Sequence, residues 1–193
     1  MLRIRGLYIG DDIECFRLAV ALSKKVNFTT VDERLKKIVV YLDPSEFRST
    51  WMGNISIQRT RMAIADGGEL ILLAPGIRSF GEDPQIDKLI RKYGYKTTRE
   101  ILTFTAENGD LQNDLSAAAH LINGSPQNRF TVRYATKNLS RKEIESVGYQ
   151  YGDMEELMLK YNPGLLNPGY NRMPAGEEVY FIPNPAIGLW KAQ

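Results

Sequence analysis

The stretch Glu69 to Pro75, "ELILLAP", narrows the choice of fold more than any other part of the chain. Five consecutive apolar residues between a carboxylate and a Pro-Gly turn read as a strand covered on both faces. Such strands belong mostly to parallel sheets, whose crossover helices pack against the two faces. The chain has 193 residues, of which 43% are apolar, enough for one domain with a substantial core. An α/β, Rossmann-like layered fold is therefore expected, with a mostly parallel central sheet flanked by helices and residues 1–193 forming one unit.

The flanking pattern agrees. "DDIECFRLAVALSKK" repeats its apolar residues near the helical period, with Asp at the start and Lys at the end as the helix dipole favours. That spacing places Cys15 among Leu18 and Ala19 as a small core residue. "VNFTTV" and "LKKIVVYL" are β-branched runs separated by "DERL", expected as neighbouring strands or a hairpin. A helix is expected over 54–66, closed by Gly67 and Gly68. "DPQIDKLIRKYG" opens with Asp83 as N-cap and Pro84 at the first helical position. Helices are expected again over 98–107 and 111–122, then a strand in "RFTVRYAT", a capping box in "SRKEIESVG" and a helix in "DMEELMLKY". The Pro/Gly/Asn-rich "YNPGLLNPGYNRMPAGEE" reads as a long ordered loop, and "EEVYFIPNP" as the last strand.

Charge and motif content exclude several functions. The 25 basic and 23 acidic residues are interspersed, without the single-sign stripe of a nucleic-acid or membrane-surface binder. The opening "MLRIRGLYIGDDIE" is too short an apolar stretch for a secretion signal, so the cytoplasm is the expected location. No dinucleotide fingerprint occurs. Gly76 to Gly81 has phosphate-loop spacing, but Glu82-Asp83 stands where Lys-Ser/Thr should follow. The single histidine, His120, and the single cysteine cannot build a standard metal site alone. His120 lies near a predicted helix C-terminus, where a structural role is expected and the dipole would favour its charged form.

Three polar side chains interrupt the 54–66 segment. Ile57, Thr60 and Ile64 share one side and Ile55 and Met62 the other, so most of this helix should be buried. Gln58 and Arg61, three apart, are neighbours on one face. A carboxamide beside a planar two-pronged donor suits a carboxylate or phosphate. The alternative is that Arg61 pairs with a nearby carboxylate and Gln58 is solvated, and periodicity leaves both open. Arg59 is expected in a surface salt bridge. Arg78 follows the central strand, where open α/β sheets place ligand contacts, and is a second anion-binding candidate or a loop brace.

The segments "YLDPSEFRSTWMGN", "RTRMAIADGGELILLAPGIRSFGEDPQIDKLIRKYGY" and "LSAAAHLINGS" resemble the C-terminal half of lactate-racemase-like proteins, the nickel-pincer-cofactor enzymes, in a branch associated with sugar acids such as mannonate. The resemblance runs from about Gly10 to Trp190. It implies a two-lobed racemase or epimerase of 2-hydroxy acids, with the active site between lobes and a nicotinate-derived nucleotide holding nickel. The metallated ring would accept a hydride from the substrate and return it, while paired histidines move the hydroxyl proton. A Tyr-Gln-x-x-Lys-like helix segment of the C-terminal lobe faces cofactor and substrate in that family. Here it reads Ile57-Gln58-Arg59-Thr60-Arg61, so Gln58 carries over, Arg61 replaces lysine and Ile57 removes a hydroxyl. The resemblance favours Gln58 and Arg61 as binding residues. The family's nickel-binding and acid/base histidines belong to the N-terminal lobe, which these residues do not include. The expected partner is thus a histidine-bearing lobe or subunit, with a small 2-hydroxy acid as ligand and no nickel-pincer nucleotide bound to this chain alone. The competing expectations are a sugar-acid oxidoreductase and a non-catalytic ligand-binding or assembly module.

Overall fold

The computed structural model describes residues 4–193. Residues 1–3 of the opening apolar stretch lie outside it. In chain order the elements begin with α1 (Ile13–Asn27), β1 (Phe28–Val31), β2 (Leu35–Tyr41), α2 (Thr50–Gly53), α3 (Ile55–Thr60) and β3 (Ile64–Leu73). There follow α4 (Pro84–Tyr93), α5 (Thr98–Glu107), α6 (Gly109–Gln112), α7 (Leu115–Asn123), β4 (Thr131–Ala135), α8 (Arg141–Ser146) and β5 (Gln150–Gly152). The chain ends with α9 (Met154–Lys160), β6 (Gly169–Arg172), β7 (Glu178–Ile182), a 3-10 turn (Pro185–Ile187) and β8 (Leu189–Ala192).

The main sheet runs β5-β4-β3-β2-β7-β6, parallel throughout except for the antiparallel β6 at its edge. The expected α/β layering is what the chain adopts. Successive residues of the middle strands face opposite layers. Ile38, Val40, Leu70, Leu72, Val132 and Tyr134 meet α3 to α8, through residues such as Ile57, Leu89, Ile101, Leu121 and Ile144. Val39, Ile71, Leu73, Ala135 and Phe181 meet Met154 and Leu157 of α9, and Tyr161. From β2 the chain steps outward one strand at a time to β5, with every crossover on the first face. It then returns under the sheet through α9 to place β7 on the other side of β2. The winding therefore reverses between β2 and β7.

Local signals that need only neighbouring residues form as expected. Asp83 caps α4 through Gln85 and Ile86 N–H, with Pro84 in the first turn. Ser140 and Glu143 form the capping box of α8, and Thr97 with Glu100 a second one on α5.

Elsewhere long-range pairing overrides local preference. The segments around β1 and β2 are not a hairpin: β1 pairs in parallel with β8 as a separate two-stranded sheet, and that later strand follows the one expected to be last. The helix expected over 54–66 stops at Thr60. There the Met62 and Ala63 carbonyls are captured by the N–H groups of Ala192 (3.1 Å) and Leu35 (2.8 Å), so the helical ladder cannot continue. Gly67 and Gly68 sit instead in an irregular start of β3, where five steps from Ile64 to Glu69 face two steps of β2. Gly67 has φ +75°, and a Cβ on Gly68 would lie 2.9 Å from the Ala65 carbonyl oxygen. The helix expected over 111–122 is broken, because the Asp114 side chain caps Ala117 N–H and starts α7 afresh. The Pro/Gly-rich loop contains β6, held by register with β7.

Helix α1 forms with Asp12 as its N-cap, yet none of its residues is buried. Cys15 is half-buried rather than in the core, and Ile13, Phe16 and Leu18 are exposed. Periodicity establishes an amphipathic helix but not that its apolar face is covered. No helix among the described residues is long and apolar enough to cross a membrane.

Under α2 lies a buried aromatic and polar column. The His120 ring stacks on Trp51 with centroids 4.1 Å apart, and its Nε2 lies 3.0 Å from the Tyr95 hydroxyl, which also meets Thr50 Oγ1 at 2.9 Å. Tyr134 donates to Asn54 Oδ1 (3.0 Å), and Tyr149 to the Gly124 carbonyl (2.8 Å). His120 is therefore structural, as expected, but burial pulls its pKa from 6.5 down to about 4, so desolvation outweighs the dipole and the ring is neutral at pH 7.

Two outcomes follow for stability. Leu72 is fully buried in β3, so Leu72→Ala should cost about 2–5 kcal/mol, seen as a lower urea midpoint. Because the folded state prefers neutral His120, this contribution is complete above about pH 6.5 and is lost as pH falls towards 4, amounting to about 3 kcal/mol. Denaturation at a series of pH values should show a shallower acid slope for His120→Phe than for the parent, and equal slopes would contradict it.

Candidate functional site

The segments that leave the carboxyl ends of β2 and β3 are tied together up to the first turn of α2. Arg78 N–H donates to the Arg48 carbonyl (3.0 Å), Thr50 N–H to Ser79 (3.0 Å) and Trp51 N–H to Phe80 (2.9 Å). Ser49 then caps α2 through Met52 N–H at 3.2 Å. This short parallel seam fixes where α2 and α3 begin, and hence where their polar side chains stand.

The glycine spacing from Gly76 to Gly81 serves packing rather than phosphate. A Cβ on Gly76 would lie 2.6 Å from Pro44 Cα, and one on Gly81 2.3 Å from the Asp87 nitrogen. The loop amides that could cradle an anion already hold one of the protein's own: Asp87 Oδ1 accepts from Phe80 N–H (2.7 Å) and Gly81 N–H (3.2 Å). With Glu82 and Asp83 beside it, a phosphate would meet only repulsion.

Helix α3 buries Ser56, Ile57 and Thr60 and turns Gln58 outward. The Gln58 carboxamide is exposed and makes no hydrogen bond among the described residues. Arg61 is the C-cap of α3 and is only partly exposed. One guanidinium nitrogen donates to the Asn123 carbonyl and reaches the Ser125 carbonyl at 3.5 Å, both at the end of α7. Its Nε is buried without a partner among the described residues. Burial, and then the like charge of Arg129, hold this guanidinium below its ordinary pKa. Arg129 donates to the Arg61 carbonyl (3.2 Å) and pairs with Asp66 (2.7 Å). Among the described residues Arg61 therefore pairs with no carboxylate; its partners are backbone carbonyls. Arg59 likewise makes no salt bridge among the described residues, contrary to expectation.

Arg78 is exposed in the loop after β3, and its side chain has no hydrogen bond or ion pair among the described residues. The loop brace is its backbone alone. The seam adds Arg48, a second exposed arginine, unpaired among the described residues, that the sequence pattern did not single out. Its signal was available only in hindsight, as a cation directly before the N-cap Ser49. The structure thus keeps Gln58 and Arg61 on one element and joins Arg78 to Arg48, with no bond between the two groups.

Exposed apolar side chains lie on the segments next to α3. Met52 is 46% exposed, Met62 42% and Ile187 73%, the last on the 3-10 turn that packs against α3. No set of three or more His, Cys, Asp or Glu side chains able to hold a metal occurs among the described residues.

No family model matches the sequence, and no curated protein matches it. Solved structures do. A structural-genomics protein from Thermotoga maritima superposes with a TM-score of 0.69 at 21% identity, covering 94% of this chain and 42% of its own. The lactate racemase apoprotein from Thermoanaerobacterium thermosaccharolyticum superposes with a TM-score of 0.63 at 10% identity, covering 93% of this chain and 40% of its own. The chain spans about two fifths of the length of each, and over that span its fold is lactate-racemase-like.

Proposed function

We propose that this chain is the C-terminal lobe of an enzyme that racemises or epimerises 2-hydroxy acids, with lactate or mannonate-type sugar acids as the substrate class. The observation that carries the proposal is the surface of α3. A carboxamide with no partner among the described residues, Gln58, stands on an element flanked in the chain by exposed Met52 and Met62 and packed against the turn that carries exposed Ile187, as expected where a second lobe closes over a polar site. The lactate racemase that shares the fold is more than twice as long as this chain, which leaves ample room for such a lobe.

In this arrangement Gln58 would hydrogen-bond the substrate's hydroxyl or carboxylate, and Arg78, free at the carboxyl end of β3, would attract the carboxylate. Arg61 adds positive charge at the end of α3 while its head anchors the helix to α7. A nickel-pincer nucleotide would find no protein ligand for its metal here. The only imidazole is buried, bonded to Tyr95 through Nε2 and covered by Trp51. This chain's residues do not fit the nickel, so that coordination and the proton transfers fall to a histidine-bearing partner lobe or subunit.

Titration with D-lactate, L-lactate and mannonate, followed by NMR of the Gln58 side-chain amide and the Arg78 guanidinium, should give saturable shifts. Gln58→Ala should weaken binding about tenfold, equal to about 1.4 kcal/mol. The chain alone should interconvert no enantiomers. Turnover by the isolated chain, or shifts that bypass Gln58 and Arg78, would overturn the proposal, and tight NAD(H) binding would favour a sugar-acid oxidoreductase instead.

A further inference from the structure

A cleft of about 580 Å³ opens at the amino ends of β2 and β7, the opposite end of the sheet from the Arg78 loop. Tyr170 of β6 and Tyr180 of β7 are register partners in its wall, with rings edge to face at 87° and centroids 5.1 Å apart. Tyr170 is 63% exposed and presents an open ring. Tyr180 is only 8% exposed, and its hydroxyl, the polar tip of a buried ring that lines the cleft, has no hydrogen-bond partner among the described residues.

Three carboxylates complete the wall: Asp32, Glu33 and Glu178. Glu33 and Glu178 make no ion pair or side-chain hydrogen bond among the described residues. Asp32 accepts one bond of 3.2 Å from Gln193. The neighbouring cations are mostly engaged elsewhere. Lys37 bonds Glu177 (2.5 Å) and Glu69 (3.1 Å), and the Arg34 guanidinium reaches the Ile64 carbonyl at 3.4 Å. Among the described lining residues Arg34 keeps its charge, because a carbonyl does not neutralise it, so Arg34 and Lys36 face three carboxylates, with Arg172 the register partner of Glu178 on the neighbouring strand. Burial, then Tyr180 and the three carboxylates, raise the Tyr170 phenol above its ordinary pKa.

We propose that this cleft binds a primary alkylammonium group, seated on the open Tyr170 ring and donating its N–H bonds to the Tyr180 hydroxyl oxygen, Glu33 and Glu178. An ammonium carries three donors and no acceptor, which matches carboxylates and a phenol oxygen that accept no bond from the described residues. The aromatic face supplies cation–π attraction, and the aliphatic tail packs along the ring. An unpaired acidic cluster alone would serve any cation; the ring and the unpartnered phenol select one with both N–H groups and an apolar stem. This site is independent of the α3 surface and of the function proposed for it.

The test is calorimetric titration of the full chain with n-butylammonium chloride, with magnesium chloride and methyl glucoside as comparison probes. Saturable binding of butylammonium, weakened about tenfold by Tyr170→Ala and by Glu178→Gln and reduced by added salt, is the expected result. Tyr170 is exposed and Glu178→Gln keeps its shape, so both variants should fold, which circular dichroism checks. Failure of butylammonium to bind, equal or stronger binding of magnesium or the glucoside, or an unchanged affinity in both variants would overturn the proposal.

Discussion

The pairing of β2 with β3 is the constraint from which the rest of the architecture descends. Ile38, Val39 and Val40 on one strand and Leu70 to Leu73 on the other are almost completely buried, although consecutive residues face opposite ways. Apolar surface on both faces must be covered on both, since leaving either side wet would forfeit roughly 1.5–3 kcal/mol for each large side chain. The helices from α3 to α8 supply one cover and α9 the other. Once both faces are taken, free polar groups can gather only at strand ends and on outward helix surfaces. The Arg78 loop, Gln58 and the tyrosine cleft all occupy such places.

The same economy explains why a glycine-rich loop after a buried strand binds no phosphate. The loop is pressed against Pro44 and against α4 so closely that side chains could not fit, and its amides need an acceptor. Asp87, one turn into α4, provides it and is held ionised by Arg91 at 2.5 Å as well as by the two amides. An internal carboxylate thus does structurally what a bound anion does in a nucleotide site.

Much of the fold was legible because its signals are local. Caps such as Asp83, Ser140 and Asp153 act within three residues, so α4, α8 and α9 could be read directly. What could not be read depends on partners far along the chain. The strands β6 and β8 have four residues each and exist through pairing with a neighbour, the strand read at β1 finds its partner only in β8, and α3 ends where β8 and β2 capture the Met62 and Ala63 carbonyls just beyond it. The apolar pattern of α1 predicted burial that does not occur, because a period reports the shape of a face and not its neighbour. The candidate site was half legible for the same reason. Gln58 and Arg61 are marked by their side-chain chemistry, whereas the carbonyls of Asn123 and Ser125 that hold Arg61 carry no sequence signature.

That attachment divides the labour between the two residues that share α3. A guanidinium bonded to carbonyls at the end of α7 offsets the negative end of one helix dipole while Arg129 does the same at the end of α3 itself. The two cations thus stitch two helix ends together in sequence, despite their mutual repulsion, and fix the rotation of α3 about its axis. One nitrogen of the Arg61 guanidinium serves the carbonyls of both Asn123 and Ser125, so a single side chain closes the end of α7. A helix of six residues has little stability of its own, so the direction in which Gln58 points depends on that anchor. In the proposed enzyme Gln58 and Arg78 are the groups left free to meet a ligand, and Arg61 acts on the ligand through the position it imposes on Gln58.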